Sequence, residues 1–177
     1  GTPFTAEDVA FSIARAPNVP NSPSSYSQYT KLVARTEIVN PLTIRLHTKG
    51  PAPTLPGDMA SIAIVSKHAA EGKTTADFNI GIAAIGTGPY RFKSSAPGDN
   101  VVWTPYPGYW GEKPAFDTVT IKFLSNPAAR SAALLSGSVD VIEQIPPSDI
   151  GIFQNRADVT LYDAVSTRVV YVGMDQG

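Results

Sequence analysis

The chain has 177 residues, 42% of them hydrophobic and 16% charged, with a formal net charge of -1 and no cysteine. That apolar share supports a folded core in one domain or two small lobes, and the low charge argues against disorder. The near-neutral balance, with no Lys/Arg run, leaves no electrostatic footprint for nucleic acid or an anionic membrane; the lack of cysteine excludes disulfides and a thiol nucleophile, and no apolar stretch approaches the ~20 residues of a membrane span.

In chain order, Thr5-Ala6-Glu7-Asp8 reads as a helix start. Thr5 suits the N-cap, Asp8 sits where a capping box returns, and two acids complement the positive end of the helix dipole. Pro17 ends this helix near Ala16. A loop rich in Pro, Asn and Ser follows from Asn18 to Ser27, with Tyr26 and Tyr29 in irregular chain. The stretches 32–39 and 43–47 read as a hairpin turning at Asn40-Pro41. Pro51, Pro53 and Pro56 break the next stretch into short pieces; Ser66 caps a brief helix through Ala70, and residues 74–78 form another helical turn.

From Gly86 to Leu124 the chain is densest in aromatics. Tyr90 to Lys93 alternates as a strand does, Pro97 to Asn100 turns, and Val101 to Trp103 returns. Pro107 to Gly111 is a glycine-bounded aromatic corner, whose rings, with Trp103 and Tyr106, are expected to pack against the sheet. Thr118 to Phe123 is a third strand. Asn126 then caps a helix that begins at Pro127 and stops at Gly137. That helix is expected to bury Ala129, Ala132 and Ala133, with Leu134 or Leu135 in the core. Strands are expected at 139–142, 159–162 and 169–172, and a short helix at 146–153, with Ile150 and Phe153 on one face.

Catalytic constellations are missing from this pattern. Gly86-x-Gly88 lacks the third glycine and the following helix of a dinucleotide site. There is no P-loop and no G-x-S-x-G elbow. His47 and His68 stand outside any ligand-spaced motif, which favours surface or strand-edge roles over metal ligation. Glu7 and Asp8 are read as a helix cap, and Asp140 with Glu143 as charge partners or caps. Tyr26 and Tyr29 carry the functional weight, because loops hold binding residues more often than framework does and Tyr pairs an apolar face with a polar handle.

Four motifs carry a resemblance. They are Gly1-Thr2-Pro3-Phe4-Thr5-Ala6-Glu7-Asp8-Val9; GTGPYRF at residues 86–92 with YWG at 109–111; the helix running from Ala128 into Leu135-Ser136-Gly137-Ser138-Val139-Asp140; and Arg168-Val169-Val170-Tyr171-Val172-Gly173-Met174. In this order they resemble the family 5 extracellular solute-binding proteins, the peptide-, nickel- and opine-type receptors of ABC importers. The resemblance implies a mixed α/β fold, a lobe of a type II, cluster C periplasmic-binding-protein-like receptor with mixed β-sheet and flanking helices. Residues 1–84 would be most of the family's small subdomain and residues 85–177 part of the first main lobe, together about half of such a protein, with the second lobe absent.

The implied function is non-enzymatic capture of a small solute, a di- or oligopeptide by default, for delivery to ABC permease membrane subunits. It implies an extracytoplasmic monomer with no cofactor and no nucleic-acid partner. The implied ligand contacts are Ser25, Tyr26 and Tyr29 in the Ser22-Pro23-Ser24-Ser25-Tyr26 segment, and Thr87 in GTGPY. Arg168 suits either a bidentate bond to a ligand carboxylate or a structural salt bridge. Alternatives are the sensor domain of a transcriptional regulator, or a non-peptide ligand such as a nickel chelate, opine or oligosaccharide.

Overall fold

A computed structural model of the chain describes residues 2–22 and 25–165. Arg168, the expected strand at 169–172, and Pro23 and Ser24 lie outside the described residues. The chain divides into two compact units, Gly1–Phe123 and Leu124–Gly177.

In the first unit, helix α1 (Ala6–Arg15) starts as its sequence dictates: the Thr5 N–H donates to Asp8 Oδ2 at 2.7 Å. Its inner face buries Ala6, Asp8, Ser12 and Ile13. It packs on the hairpin of β1 (Val33–Asn40) and β2 (Thr43–Thr48), whose turn accepts the Ala6 N–H at Pro41 O, 2.8 Å away. The outer hairpin face carries an ionic cluster in which Glu37 accepts from Arg45 Nη1 at 2.8 Å and from the His47 ring. His47 therefore takes the strand position expected of it.

The Pro/Ser loop is shorter than its composition suggests. Residues Ser27–Thr30 form a helical turn, α2, and Tyr29 belongs to it. The Tyr29 N–H donates to Tyr26 O at 3.0 Å, so local hydrogen bonding closes a turn that shows no cap and no apolar period in sequence. Helix α3 (Leu55–Ala60) likewise forms where the prolines suggest breakage; Pro56 occupies the first turn, where its missing N–H costs nothing. Helices α4 (Lys67–Ala70) and α5 (Thr75–Asn79) follow, each set by its cap: Ser66 Oγ accepts the Ala69 N–H, and Thr74 pairs with Asp77 in a capping box.

Strands β3 (Tyr90–Ala96), β4 (Asn100–Pro105) and β5 (Val119–Lys122) form an antiparallel sheet in that order. In β4, Trp103 stands edge-on to Phe92 across the strand pair, with ring centroids 6.0 Å apart. Gly81 has φ +82°, and a Cβ there would overlap the Cγ–Cδ1–Cε1 edge of the Phe92 ring.

In the second unit, α6 (Pro127–Leu135) takes its cap from Asn126 Oδ1, which accepts the Ala129 N–H at 3.1 Å, and Gly137 adopts φ 70° just past its end. Its buried face is not the expected one. Ser131 is buried, Ala129 and Ala132 are exposed, Ala133 and Leu134 are half-buried, and Leu135 is exposed. Arg130 holds the chain around it: Nη1 donates to Leu124 O (2.9 Å) and Ser125 O (3.2 Å), and Nη2 to Gln144 O (3.1 Å). The stretches 139–142 and 159–162 form no strand, because a β-prone segment needs a partner ladder and neither finds one among the described residues. Pro147–Asp149 is a 3-10 turn leading into α7 (Ile150–Gln154), whose Phe153 is 1% exposed.

Candidate functional site

The first unit holds a cleft of about 440 Å³, inside the range of about 300–1,000 Å³ usual for small-ligand sites. Its construction starts at α1. Ser12 Oγ donates to Asp8 O at 2.7 Å and accepts the Val65 N–H at 3.0 Å, which fastens the 64–67 segment to the helix. The Ser66 N–H then donates to Ile85 O at 2.9 Å, bringing in the loop that carries Thr87. Beyond that loop the Tyr106 N–H donates to Pro89 O at 2.8 Å and seats the aromatic corner alongside. The cleft's walls are mostly apolar, with Phe4, Ile85, Tyr106 and Trp110 among them, and Arg91 supplies a cation.

Asp8 also borders the cleft, but its carboxylate is committed. Oδ2 accepts from Thr5 N, Oδ1 accepts the Lys67 N–H at 2.8 Å, and the neighbouring Glu7 pairs with Lys67 Nζ at 3.0 Å. Burial pushes the Asp8 carboxyl up, but the hydrogen bonds from Thr5 and Lys67 outweigh it and hold the group below the usual carboxylate range. Asp8 thus takes the helix-cap role expected of it, extended to a second segment of chain, whereas Glu7 pairs with Lys67 instead. A folded-state value below the unfolded one contributes stability above the unfolded value of about 3.9, which is lost as pH falls through the folded value. Asp8→Asn keeps one acceptor and turns an NH₂ towards the other N–H. It should cost about 1–3 kcal/mol at pH 7, and should flatten the acid limb of a plot of unfolding midpoint against pH. An unchanged acid limb would show that Asp8 is not the group responsible.

The structure separates the sequence-derived candidates. Thr87 borders the cleft. Ser25, Tyr26 and Tyr29 do not; they cluster at α2, where the Ser25 hydroxyl accepts the Ser27 N–H at 3.1 Å. The two tyrosine rings lie 5.6 Å apart at 48°, with Tyr26 exposed and Tyr29 half-buried. Nothing is described for Arg168. Of the aromatics expected to pack, Trp103 and Tyr109 are half-buried, whereas Tyr106 and Trp110 are exposed and border the cleft, Trp110 being 81% exposed. The sequence carried no signal for this, since exposure of one ring in a run of aromatics is decided by the turn that bears it. Among the described residues no group of three His, Cys, Asp or Glu could hold a metal ion, and no helix is long and apolar enough to cross a membrane.

All of the chain, residues 1–177, matches the family model described as bacterial extracellular solute-binding proteins, family 5 Middle. The probable D,D-dipeptide-binding periplasmic protein DdpA of Escherichia coli (strain K12) is 30% identical over 176 residues, covering 97% of this chain and 34% of that protein. The glutathione-binding protein GsiB of Salmonella paratyphi A is 28% identical, with 99% and 34% covered. Among solved structures, NikZ from Campylobacter jejuni in complex with Ni(L-His) superposes with a TM-score of 0.71 at 28% identity, over 87% of this chain and 31% of that one. NikA from Brucella suis in complex with Fe(III)-EDTA does so at 0.68 and 28%, over 87% and 32%. The mixed α/β fold is thus that of the type II periplasmic binding proteins. The chain spans 34% of the length of these two relatives, a third and not the expected half.

Proposed function

This chain belongs to family 5 of the bacterial extracellular solute-binding proteins, and we propose that the protein it serves is the substrate-binding component of an ABC importer. It captures a small solute, a di- or oligopeptide, between two lobes outside the cytoplasm, and presents it as a monomer to the permease. No bond is made or broken. Lobe closure about a hinge buries the ligand, and the free energy comes from surface removed from water and from hydrogen bonds completed on closure. Residues 1–84 are assigned to the small subdomain and 85–177 to the first main lobe. This assignment follows the family's motifs, not the compactness boundary after Phe123. A peptide ligand is supported by relatives named for a D,D-dipeptide and for glutathione. The neighbour solved with Ni(L-His) supports a second reading, a nickel chelate.

The ligand-facing assignment rests on two places, the cleft that Thr87 borders and, outside that cleft, the Tyr26–Tyr29 pair at α2. Two rings 5.6 Å apart stand on one short helical turn, Tyr26 being 47% exposed. Tyr has few side-chain torsions to freeze and offers both a flat face and a hydroxyl, so a held pair gives contact area at small entropic cost. Ser25 beside them, Thr87 and Arg168 complete the proposed contacts. Tyr29→Ala in the full-length protein should weaken binding of the best ligand from a panel of dipeptides, glutathione and Ni(L-His) by roughly 1 kcal/mol or more. Isothermal titration calorimetry reads it, and an unchanged affinity rejects the placement.

A further inference from the structure

Ser12 is a polar side chain on the inner face of α1, and it is 3% exposed. A serine inside a helix can give its proton to the carbonyl one turn back. Here it does so, with Oγ donating to Asp8 O at 2.7 Å. The hydroxyl lone pairs stay free to accept, and they take the Val65 N–H at 3.0 Å. Asp8, one turn earlier on the same face and 8% exposed, accepts the Lys67 N–H at 2.8 Å. The two spacings match. Side chains four apart on a helix stand about 5–6 Å apart, and residues two apart in extended chain about 6–7 Å. Ser66, between the two held residues, is extended, with φ -63° and ψ 118°. Its own N–H donates instead to Ile85 O at 2.9 Å. Successive amides of 65–67 therefore alternate between α1 and residue 85, as the amides of a strand alternate between two neighbours. Two side chains of a helix take the place of one neighbouring strand.

This arrangement reaches the Thr87 loop. Gly86-Thr87-Gly88 has a glycine on either side of Thr87, which gives it wide backbone freedom. The loop is held after Thr87 by the Tyr106 N–H on Pro89 O, and at Thr87 O by the Trp110 indole N–H at 3.1 Å. Just before it, Ile85 O is held by Ser66, and Ser66 lies between the two residues that α1 fixes. Removing the Ser12 oxygen leaves the Val65 N–H without its acceptor in a half-buried place. An amide in that state gains by moving towards water, and a shift of residue 65 pulls Ser66 away from Ile85.

We propose that Ser12 is a positioning residue of the solute site: its hydroxyl, acting through Val65 and Ser66, sets the start of the loop that carries Thr87. Ser12 is not part of the cleft lining and acts only through the chain. The inference rests on the receptor reading given above, with Thr87 as a ligand contact. The experiment compares the full-length protein with its Ser12→Ala and Ser12→Thr variants. It reads hydrogen exchange of the Ser66 amide, and affinity for the best ligand from a panel of dipeptides, glutathione and Ni(L-His). Threonine keeps a hydroxyl able to make the same two bonds; alanine has none. Ser12→Ala should speed exchange at Ser66 about tenfold or more while the amides of β4 and β5 keep their rates, and should weaken binding about three- to tenfold. Ser12→Thr should restore both. Wild type that binds, with Ser66 exchange or affinity unchanged in Ser12→Ala, would overturn this inference alone. Exchange that rises equally in β4 and β5, or a threonine variant that behaves as alanine does, would show an ordinary loss of stability and overturn it too. Wild type that binds no member of the panel would overturn the receptor reading and the positioning role with it.

Discussion

Replacing Phe153 by alanine should destabilise the second unit by about 3–5 kcal/mol. Phe153 is 1% exposed and is the largest fully buried side chain described in the chain. It sits on a helix of five residues. So short a helix cannot persist on hydrogen bonding alone, because nucleation costs more than a single turn returns. Its order therefore depends on the packing of this one ring. The cost combines the lost transfer of the ring from water with the cavity left behind. Urea unfolding, with hydrogen exchange of the amides at 150–154, checks it: the midpoint should fall, and exchange there should accelerate. Ile152→Ala is the internal control, since Ile152 is 50% exposed and should cost far less. An unchanged midpoint in Phe153→Ala would mean that the ring does not anchor α7.

Gly81→Ala should be the second severe substitution. Two penalties fall on the same atom. Residue 81 has φ +82°, a conformation that L side chains rarely adopt, and the added methyl would occupy the space of the Phe92 ring. Strain of this kind and overpacking each cost about 1–3 kcal/mol. The obstructing atoms run along one edge of the ring from its root, Cγ, Cδ1 and Cε1, so a small rotation of its tip gives no relief. Phe92 would have to leave its edge-on contact with Trp103, 6.0 Å away. The checks are a lowered unfolding midpoint and a change in the near-ultraviolet circular dichroism of the aromatic sheet. Retention of both would show that Phe92 can move aside cheaply.

What could be read from sequence was what depends on near neighbours. The starts of α1, α4, α5 and α6 were legible because a cap is a local reaction between one side chain and the first turn: Thr5 with Asp8, Ser66, Thr74, and Asn126 before Pro127. Both hairpins were legible from alternation and turn residues. The segments 139–142 and 159–162 misled because their β propensity is real, while a strand also requires a partner that propensity does not supply. The face of α6 misled because Ala-Ala-Arg-Ser-Ala-Ala-Leu-Leu is apolar nearly all round. Such a pattern names no inner side, and Ser131 took it.

The candidate site divides along the same line. Thr87 could be picked out because its glycine-flanked motif is specific, and the structure sets it at a cleft. In sequence the tyrosines read as residues of an unpacked loop, whereas Tyr29 lies in a helical turn and its ring meets that of Tyr26. In sequence Trp110 reads as a packing residue, because an aromatic in a corner usually packs. Its exposure follows from the path of the turn between Tyr106 and Gly111, which no local pattern encodes.

The measurement that bears most directly on the receptor account is native mass spectrometry of the full-length protein, purified without denaturation. The account predicts a bound small molecule that is retained through gentle desolvation and released intact on unfolding, with masses matching short peptides. A single defined mass of a nickel chelate would keep the receptor and replace the peptide. Protein that is empty and that also fails to bind a panel of peptides and metal chelates would contradict the account.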